Sequence, residues 1–137
     1  MTKSLKDDFF GSFQYDDILE NWFTEFHDGQ SKVWVTIGDE KDLNTAKEIY
    51  QNLTYWDKEA KKLAVPVILE ESEKGMDRVP SAEEAIKTIF LESISLYSDD
   101  EDTYITFSYD DGLLLGGHII VVDGTLSQGF DSAYIEG

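Results

Sequence analysis

The sequence predicts a single α+β domain: an antiparallel sheet built from N-terminal and C-terminal hairpins, with one long and one short helix on one face. Three observations lead to this prediction. They are β-like runs near both ends of the chain, tight-turn dipeptides between these runs, and a helical apolar stripe in the middle. The 137 residues fit one domain over 1–137, and 41% of them are hydrophobic, which is enough to form a core. Hairpin-linked strands form antiparallel sheets, and helices pack on one face of them.

Polar and apolar residues alternate in the N-terminal part, which predicts three strands: Gly11–Tyr15, Trp22–Phe26 and Ser31–Ile37. The Asp28-Gly29 dipeptide is typical of a tight hairpin turn between the last two of them. Val33, Val35 and Ile37 are expected on one face of the third strand, and Trp34 on the other.

The middle of the chain predicts a long helix. Apolar residues recur every three or four positions from Thr45 to Leu69 and form one stripe, in which Trp56 is expected to lie in the core. Thr45 and Glu48 fit a capping box at its start. Pro66 is expected to kink the helix or end it early.

A second, short helix is predicted after a polar connection. Ser81 is its expected N-cap, Glu84 takes the capping-box position, and the apolar spacing ends near Phe90.

The last third predicts three or four strands: Glu92–Tyr97, Tyr104–Tyr109, Leu113–Val122 and, if there is a fourth, Ser132–Glu136 as a terminal edge strand. Asp99–Asp102 and Asp110–Gly112 are expected to form the turns between the first three, and Asp123-Gly124 the turn after them. Gly116-Gly117 is expected to form a bulge or bend within the third strand.

The charge of the chain predicts the sign of its partner. It has 29 acidic and 11 basic residues, a net charge of -18, and every charged residue after Lys87 is acidic. Nucleic acid and anionic membranes are repelled by such a chain, whereas a basic protein is attracted. Solubility alone is the other explanation of this charge.

Hairpin turns gather at the ends of a sheet, so the acidic turns are expected to form one patch for a basic partner. Exposed aromatic side chains beside the acids are expected to anchor it. The predicted partner-binding residues are Asp99, Asp100, Glu101, Asp102, Asp110, Asp111, Tyr104 and Trp34.

Catalytic and metal sites have little support in the sequence. The two histidines, His27 and His118, accompany no nucleophile motif, and His118 is expected to be an ordinary strand histidine rather than a general base. Asp99–Asp102 lacks the ligand spacing of a calcium loop, and without cysteine the chain has too few ligands for zinc. No cofactor, no metal and no catalytic residue are expected.

The composition also predicts a cytoplasmic location. No stretch approaches the ~20 apolar residues of a membrane span. The N-terminus, Met1–Asp8, turns acidic where a signal peptide would become apolar.

Several segments together resemble a family of uncharacterised bacterial domains, domain of unknown function 2262. They are Gly11–Tyr15, Tyr55–Ala60, Leu91–Tyr97, Ile105–Gly112, Gly117–Val121 and Gly129–Gly137. The resemblance implies no activity and no catalytic residue. Such domains look like companions of bacterial toxin systems and other accessory proteins, which implies an immunity role.

Three functions therefore remain open. The first is a non-catalytic acidic protein of the immunity or inhibitor type that neutralises a basic partner such as a toxin. The second is a small hydrolase-like enzyme that uses His118 with nearby carboxylates. The third is a housekeeping domain whose acidity serves only solubility.

Overall fold

The computed structural model describes residues 4–28, 31–75 and 78–136. Within these ranges, eight strands, three α-helices and a short 3-10 helix (Glu40–Asp42) follow one another along the chain. The strands are β1 (Ser4–Asp7), β2 (Gly11–Asp16), β3 (Asn21–Asp28), β4 (Ser31–Ile37), β5 (Phe90–Ser98), β6 (Thr103–Asp110), β7 (Ile119–Thr125) and β8 (Gly129–Glu136). The helices are α1 (Leu43–Gln51), α2 (Leu53–Gly75) and α3 (Ala82–Thr88).

All eight strands form one sheet, and their order in the sheet is their order in the chain. Each pair of neighbours is antiparallel except β4 and β5, which are parallel. The prediction of an α+β fold is therefore confirmed, whereas that of an entirely antiparallel sheet is wrong at its centre. A parallel pair needs a crossover connection, and here the three helices provide it.

One face of the sheet is covered by the helices. The strand residues that point to it alternate along each strand and are buried, among them Val35, Ile94, Phe107 and Val122. Helix α1 packs against β4, and α2 packs against β7 and β8. This helix-covered face holds the hydrophobic core, with Val33, Val35 and Ile37 as the sequence predicts.

The other face of the sheet is open to solvent. The strand register aligns its side chains in rows across the sheet: Phe23, Thr36, Ser95, Thr106 and Asp123 form one row, and Glu25, Trp34, Ser93, Ser108, Val121 and Tyr134 form the next. Trp34, Tyr97 and Tyr104 are 43%, 60% and 39% exposed. We call this surface the open face.

The predicted long helix is divided at Asn52. Its amide Nδ2 donates to the carbonyl oxygen of Glu48 at 2.9 Å, and its backbone leaves the helical conformation there. The capping box at Thr45 is not formed, because α1 already begins at Leu43. Helix α2 continues through Pro66 to Gly75, so of the two predicted effects of Pro66, a kink or an early end, the early end is wrong.

The short helix α3 has the predicted N-terminus. Ser81 accepts a hydrogen bond from the N–H of Glu84, whose carboxylate accepts one from the N–H of Ser81, as in a capping box.

The strand predicted from Leu113 is shorter than expected. Residues 111–118 form a turn, and β7 begins at Ile119. Leu113, Gly116 and Gly117 all have positive φ angles, which a strand does not accommodate.

Strand β1 has no counterpart in the sequence prediction. The predicted Gly29 turn lies outside the described residues, although β3 and β4 do pair as a hairpin.

Trp56 lies at the margin of the core rather than inside it. It is partly buried and meets Phe130 edge to face, with ring centroids 5.8 Å apart.

None of the helices in the described part of the chain combines the length and the apolar character that a membrane span requires.

Truncation of an aromatic side chain should lower the free energy of unfolding more on the helix-covered face of the sheet than on the open face. Phe107→Ala should lower the free energy of unfolding by about 3–5 kcal/mol, because a fully buried ring leaves a cavity in the core. Tyr97→Ala on the open face should cost less than about 1 kcal/mol, the range of one cross-strand pair. Urea denaturation followed by circular dichroism measures both, and equal losses would contradict the assignment of the faces.

Candidate functional site

Three acidic segments meet at one end of the sheet. The β2–β3 turn, the segment after β4 and the β5–β6 turn all lie there, because β4 and β5 run in the same direction and β3 is antiparallel to β4. We call these segments, Asp16–Glu20, Gly38–Asp42 and Asp99–Asp102, the acidic end. Their acids are Asp16, Asp17, Glu20, Asp39, Glu40, Asp42, Asp99, Asp100, Glu101 and Asp102, and Lys41 is the only cation among them.

The β5–β6 turn is held by its own carboxylates. Asp99 accepts hydrogen bonds from the N–H groups of Glu101 and Asp102 at 2.8 and 3.0 Å, and from the hydroxyl of Tyr104 at 3.0 Å. Asp102 accepts from the hydroxyl of Ser127 in the β7–β8 turn and from the N–H of Thr103. Asp99 and Asp102 thus shape the turn, while Asp100 and Glu101 are exposed.

These hydrogen bonds keep the two carboxylates ionised. The N–H groups of Asp102 and Glu101 lower the pKa of Asp99, and the Ser127 hydroxyl followed by the Thr103 N–H lowers that of Asp102. The same carboxylate of Asp99 raises the pKa of Tyr104, so this hydroxyl stays protonated and donates.

Asp42 attaches the turn to the rest of the acidic end. Its side chain is buried, and its Oδ1 atom accepts a hydrogen bond from the hydroxyl of Ser98. Ser98 lies 2.9 Å from the hydroxyl of Thr103 across the base of the turn. The segment after β4 and the β5–β6 turn are therefore held together at a fixed spacing.

The β2–β3 turn adds exposed apolar side chains to these acids. Asp16 accepts hydrogen bonds from the N–H groups of Ile18 and Leu19, at 2.9 and 3.1 Å, and so fixes the turn. Ile18 and Leu19 are 91% and 69% exposed. A contiguous patch of exposed apolar side chains is typical of an interaction site, whereas isolated ones are common on any surface.

A groove of about 350 Å³ joins the acidic end to the open face. Leu19 and Glu20 form one side, and Tyr97 and Tyr104, stacked with ring centroids 6.2 Å apart, form the other. Two predicted residues, Tyr104 and Trp34, thus lie on the same face, with Tyr104 next to the predicted acids Asp99–Asp102.

Asp110 and Asp111 do not join this patch. Asp110 is the last residue of β6 and Asp111 follows it, whereas Asp99–Asp102 precede this strand. The two turns therefore lie at opposite ends of an eight-residue strand, about 25 Å apart. The expectation of one combined patch is therefore wrong. The acids that do join Asp99–Asp102 come from the two earlier segments, which the sequence places far away in the chain.

Asp111 is completely buried in the β6–β7 turn. Its Oδ1 accepts the N–H of Leu113, and its Oδ2 accepts those of Leu115, Gly117 and His118, at distances from 2.8 to 3.1 Å. Burial raises the pKa of Asp111, but these N–H groups outweigh it and the net shift is downward. Its carboxylate organises the turn and is not available to a partner.

The histidines lie outside the acidic end. His118 is partly buried next to Leu115 and α2, and its backbone both donates to and accepts from Asp111. His27 is exposed and contacts Glu25 at 3.0 Å. Among the described residues, no group of three or more histidines and acids is placed to hold a metal ion.

A second polar cluster, which the sequence analysis missed, lies under α2. Tyr109 donates to Asp57 at 2.6 Å, and the Lys61 ammonium lies 3.3 Å from the same carboxylate. Burial raises the pKa of Tyr109, and the Asp57 carboxylate raises it further. The cluster ties α2 to the sheet and has the character of a structural contact.

The fold and the site define an acidic α+β domain with one covered and one open sheet face. Residues 7–135 match the family model described as "Uncharacterized protein conserved in bacteria (DUF2262)". The chain therefore belongs to this family, as the sequence resemblance predicts. No curated protein and no solved structure matches the chain.

Substitution of Asp111 should cause a large loss of stability, because its carboxylate accepts four hydrogen bonds in the β6–β7 turn. Asp111→Ala removes the acceptor of four N–H groups, and each buried N–H without an acceptor costs about 1–3 kcal/mol, so we expect a loss of about 3 kcal/mol or more at pH 7. The control is Asp110→Ala, whose carboxylate accepts only the N–H of Gly112 among the described residues and should cost about 1 kcal/mol.

This stabilisation should depend on pH. The folded-state pKa of Asp111 lies below its ordinary value of 3.8. The contribution is therefore complete above about pH 4–5 and is lost as the pH falls through the folded value. The difference between wild type and Asp111→Ala, measured by urea denaturation at each pH, should shrink below pH 4. A constant difference down to pH 2.5 would contradict the role of the ionised carboxylate.

Proposed function

We propose that this protein is a non-catalytic, acidic binding protein of the immunity or inhibitor type, which neutralises a basic protein such as a toxin in the bacterial cytoplasm. One observation carries the proposal. Three acidic segments that are distant in sequence meet at one end of the sheet, beside exposed aromatic and aliphatic side chains on a face that the helices leave open.

The charges favour a basic partner over a second copy of this chain. The net charge of -18 attracts a cation-rich surface at long range, and the acidic end concentrates that field. Two copies that met through this end would bring identical carboxylates together, which costs free energy. Solubility alone does not require the acids to converge beside exposed Ile18 and Leu19.

The aromatic side chains favour specific rather than diffuse attraction. Trp34 lies three residues before the end of β4, roughly 10 Å from the acidic end. An interface of ordinary size, about 800 Å² per partner, covers both. Charges then speed association, and the desolvated rings of Trp34, Tyr97 and Tyr104 supply most of the affinity.

The electrostatic part of the proposal is tested by association kinetics. The partner is captured from native lysate, identified, purified and bound to the protein at two salt concentrations. Replacing the exposed acids Asp17, Glu20, Asp100 and Glu101 by their amides should slow association about tenfold at low salt, within the range of electrostatic steering. Asp99 and Asp102 are kept because they hold the turn.

The matched control changes four acids in the helix layer, Glu70, Glu71, Glu73 and Glu83, to glutamine, with the same change in net charge. It should slow association much less. A partner that is neutral or acidic, an association rate that ignores salt, or equal effects of the two sets of substitutions would each refute the proposal and leave solubility as the explanation of the charge.

The aromatic part is tested by dissociation kinetics with the same partner. Trp34→Ala should raise the dissociation rate about thirtyfold, because truncation of a central tryptophan costs about 2 kcal/mol. Phe90→Ala is the control, since it removes an exposed ring at the opposite end of the sheet. Phe90→Ala should dissociate like the wild type. If Trp34→Ala does so as well, the open face is not the interface.

A further inference from the structure

Strand β8 forms one edge of the sheet. It follows β7 in the strand order and pairs with that strand alone among the described elements. Every second residue of an edge strand turns its N–H and C=O groups away from its neighbour, where another chain can pair with them. The opposite edge, β1, is short, with four residues and a lysine at position 6, and resists such pairing better.

The pairing of β8 with β7 is interrupted once and is otherwise regular. The register skips Asp131, since Ser132 faces Asp123 and Phe130 faces Gly124. Beyond this bulge, Ser132–Glu136 contains no proline and no lysine, the residues that most often protect edges. Five consecutive residues are thus available for strand addition.

A cleft of about 530 Å³ opens at the start of this edge. Its walls are Tyr55 and Trp56 of α2 and Leu126 and Phe130 around the β7–β8 turn. Tyr55 and Leu126 are exposed, and Trp56 meets Phe130 edge to face. Glu59, Lys62, Ser127 and Gln128 also line it, so the cleft combines rings that can contact a large apolar side chain with polar groups around them.

The register connects the edge with the cleft. Residues that face each other on neighbouring strands point to the same side of the sheet. Phe130, Ala133 and Ile135 point to the helix-covered face, whereas Ser132, Tyr134 and Glu136 point to the open face. A strand added to β8 would therefore place alternate side chains next to Ala133 and Ile135, and the next one on that side would reach the cleft.

The acidic residues on and beside β8 favour a basic strand as the one that adds to it. Asp131 and Glu136 are exposed on β8, Asp123 lies beside Ser132 on the open face, and β8 has no cation. At the cleft, Lys62 is already paired with Glu59 at 3.0 Å. The β7–β8 turn is also attached to the acidic end through Ser127 and Asp102. A second copy of β8 would bring only more acids.

We propose that β8 and this cleft form a binding site for an extended basic peptide segment of another protein. The segment adds to β8 as a ninth strand, with basic side chains on the open face and apolar ones on the helix-covered face. One large apolar side chain fills the cleft between α2 and the β7–β8 turn. Main-chain hydrogen bonds along Ser132–Glu136 provide affinity, and the cleft provides specificity.

The site is tested with the full-length protein and a synthetic ten-residue peptide that alternates lysine with valine and has phenylalanine in place of one terminal valine. In NMR spectra, the amides of Ser132–Glu136 should shift and exchange more slowly with solvent when the peptide is added. The indole N–H of Trp56 should shift as well, because the phenylalanine ring enters its cleft.

Three matched peptides separate strand addition from simple charge attraction. Exchanging the phenylalanine with its neighbouring lysine turns the ring to the open face and should weaken binding at least tenfold, with composition unchanged. A central proline should have the same effect, because it removes a main-chain donor. A glutamate-for-lysine peptide should not bind.

Two protein variants keep this test separate from that of the proposed function. Tyr55→Ala, on an exposed helix position, should weaken the peptide at least fivefold, whereas Tyr97→Ala on the open face should not. Peptide shifts confined to the open face, equal binding of the matched basic peptides, or no binding at millimolar peptide would overturn the inference. Each of these results leaves the association kinetics at the acidic end unaffected.

Discussion

The parallel pairing of β4 with β5 is the constraint on which the rest of the structure depends. Two neighbouring parallel strands need a long crossover, and the chain uses residues 38–89 for it. All three helices belong to this crossover, so they cover one face of the sheet and the other stays open. The same pairing places the end of β4 beside the end of β5, which brings the segment at Asp42 next to the turn at Asp99.

This arrangement also separates the charges of the molecule. Most of the lysines belong to the helical crossover, whereas the last third of the chain, which supplies half of the sheet, has acids and no cations. Within the sheet the acids are not spread evenly. Those that hold turns, such as Asp16, Asp99 and Asp102, leave their neighbours exposed at one end. The hydrogen bonds within these turns fix their backbone, which lowers the entropy cost of ordering the turns when a partner binds.

The sequence predicts the local parts of this structure better than their assembly. Alternation and tight-turn dipeptides locate most strands, and Ser81 with Glu84 locates the start of α3. No local pattern reveals that the two groups of strands are joined in parallel. For the same reason the sequence predicts that Asp99–Asp102 lie beside Asp110 and Asp111, whereas in the structure they lie beside Asp16–Glu20. Asp111 is wrongly predicted to bind a partner, because the sequence alone does not distinguish a buried carboxylate that accepts four N–H groups from an exposed acid in a solvated turn.

The central claim, that the open face is the surface that meets a basic protein, is tested most directly by photo-crosslinking in native cells. A photoreactive amino acid replaces Ser108, in the middle of the open face, or Glu73, on the exposed side of α2. We predict that Ser108 yields an adduct with one protein, identified by mass spectrometry as strongly basic, and that Glu73 does not. Adducts from Glu73 alone, or an acidic protein joined to Ser108, would contradict the account.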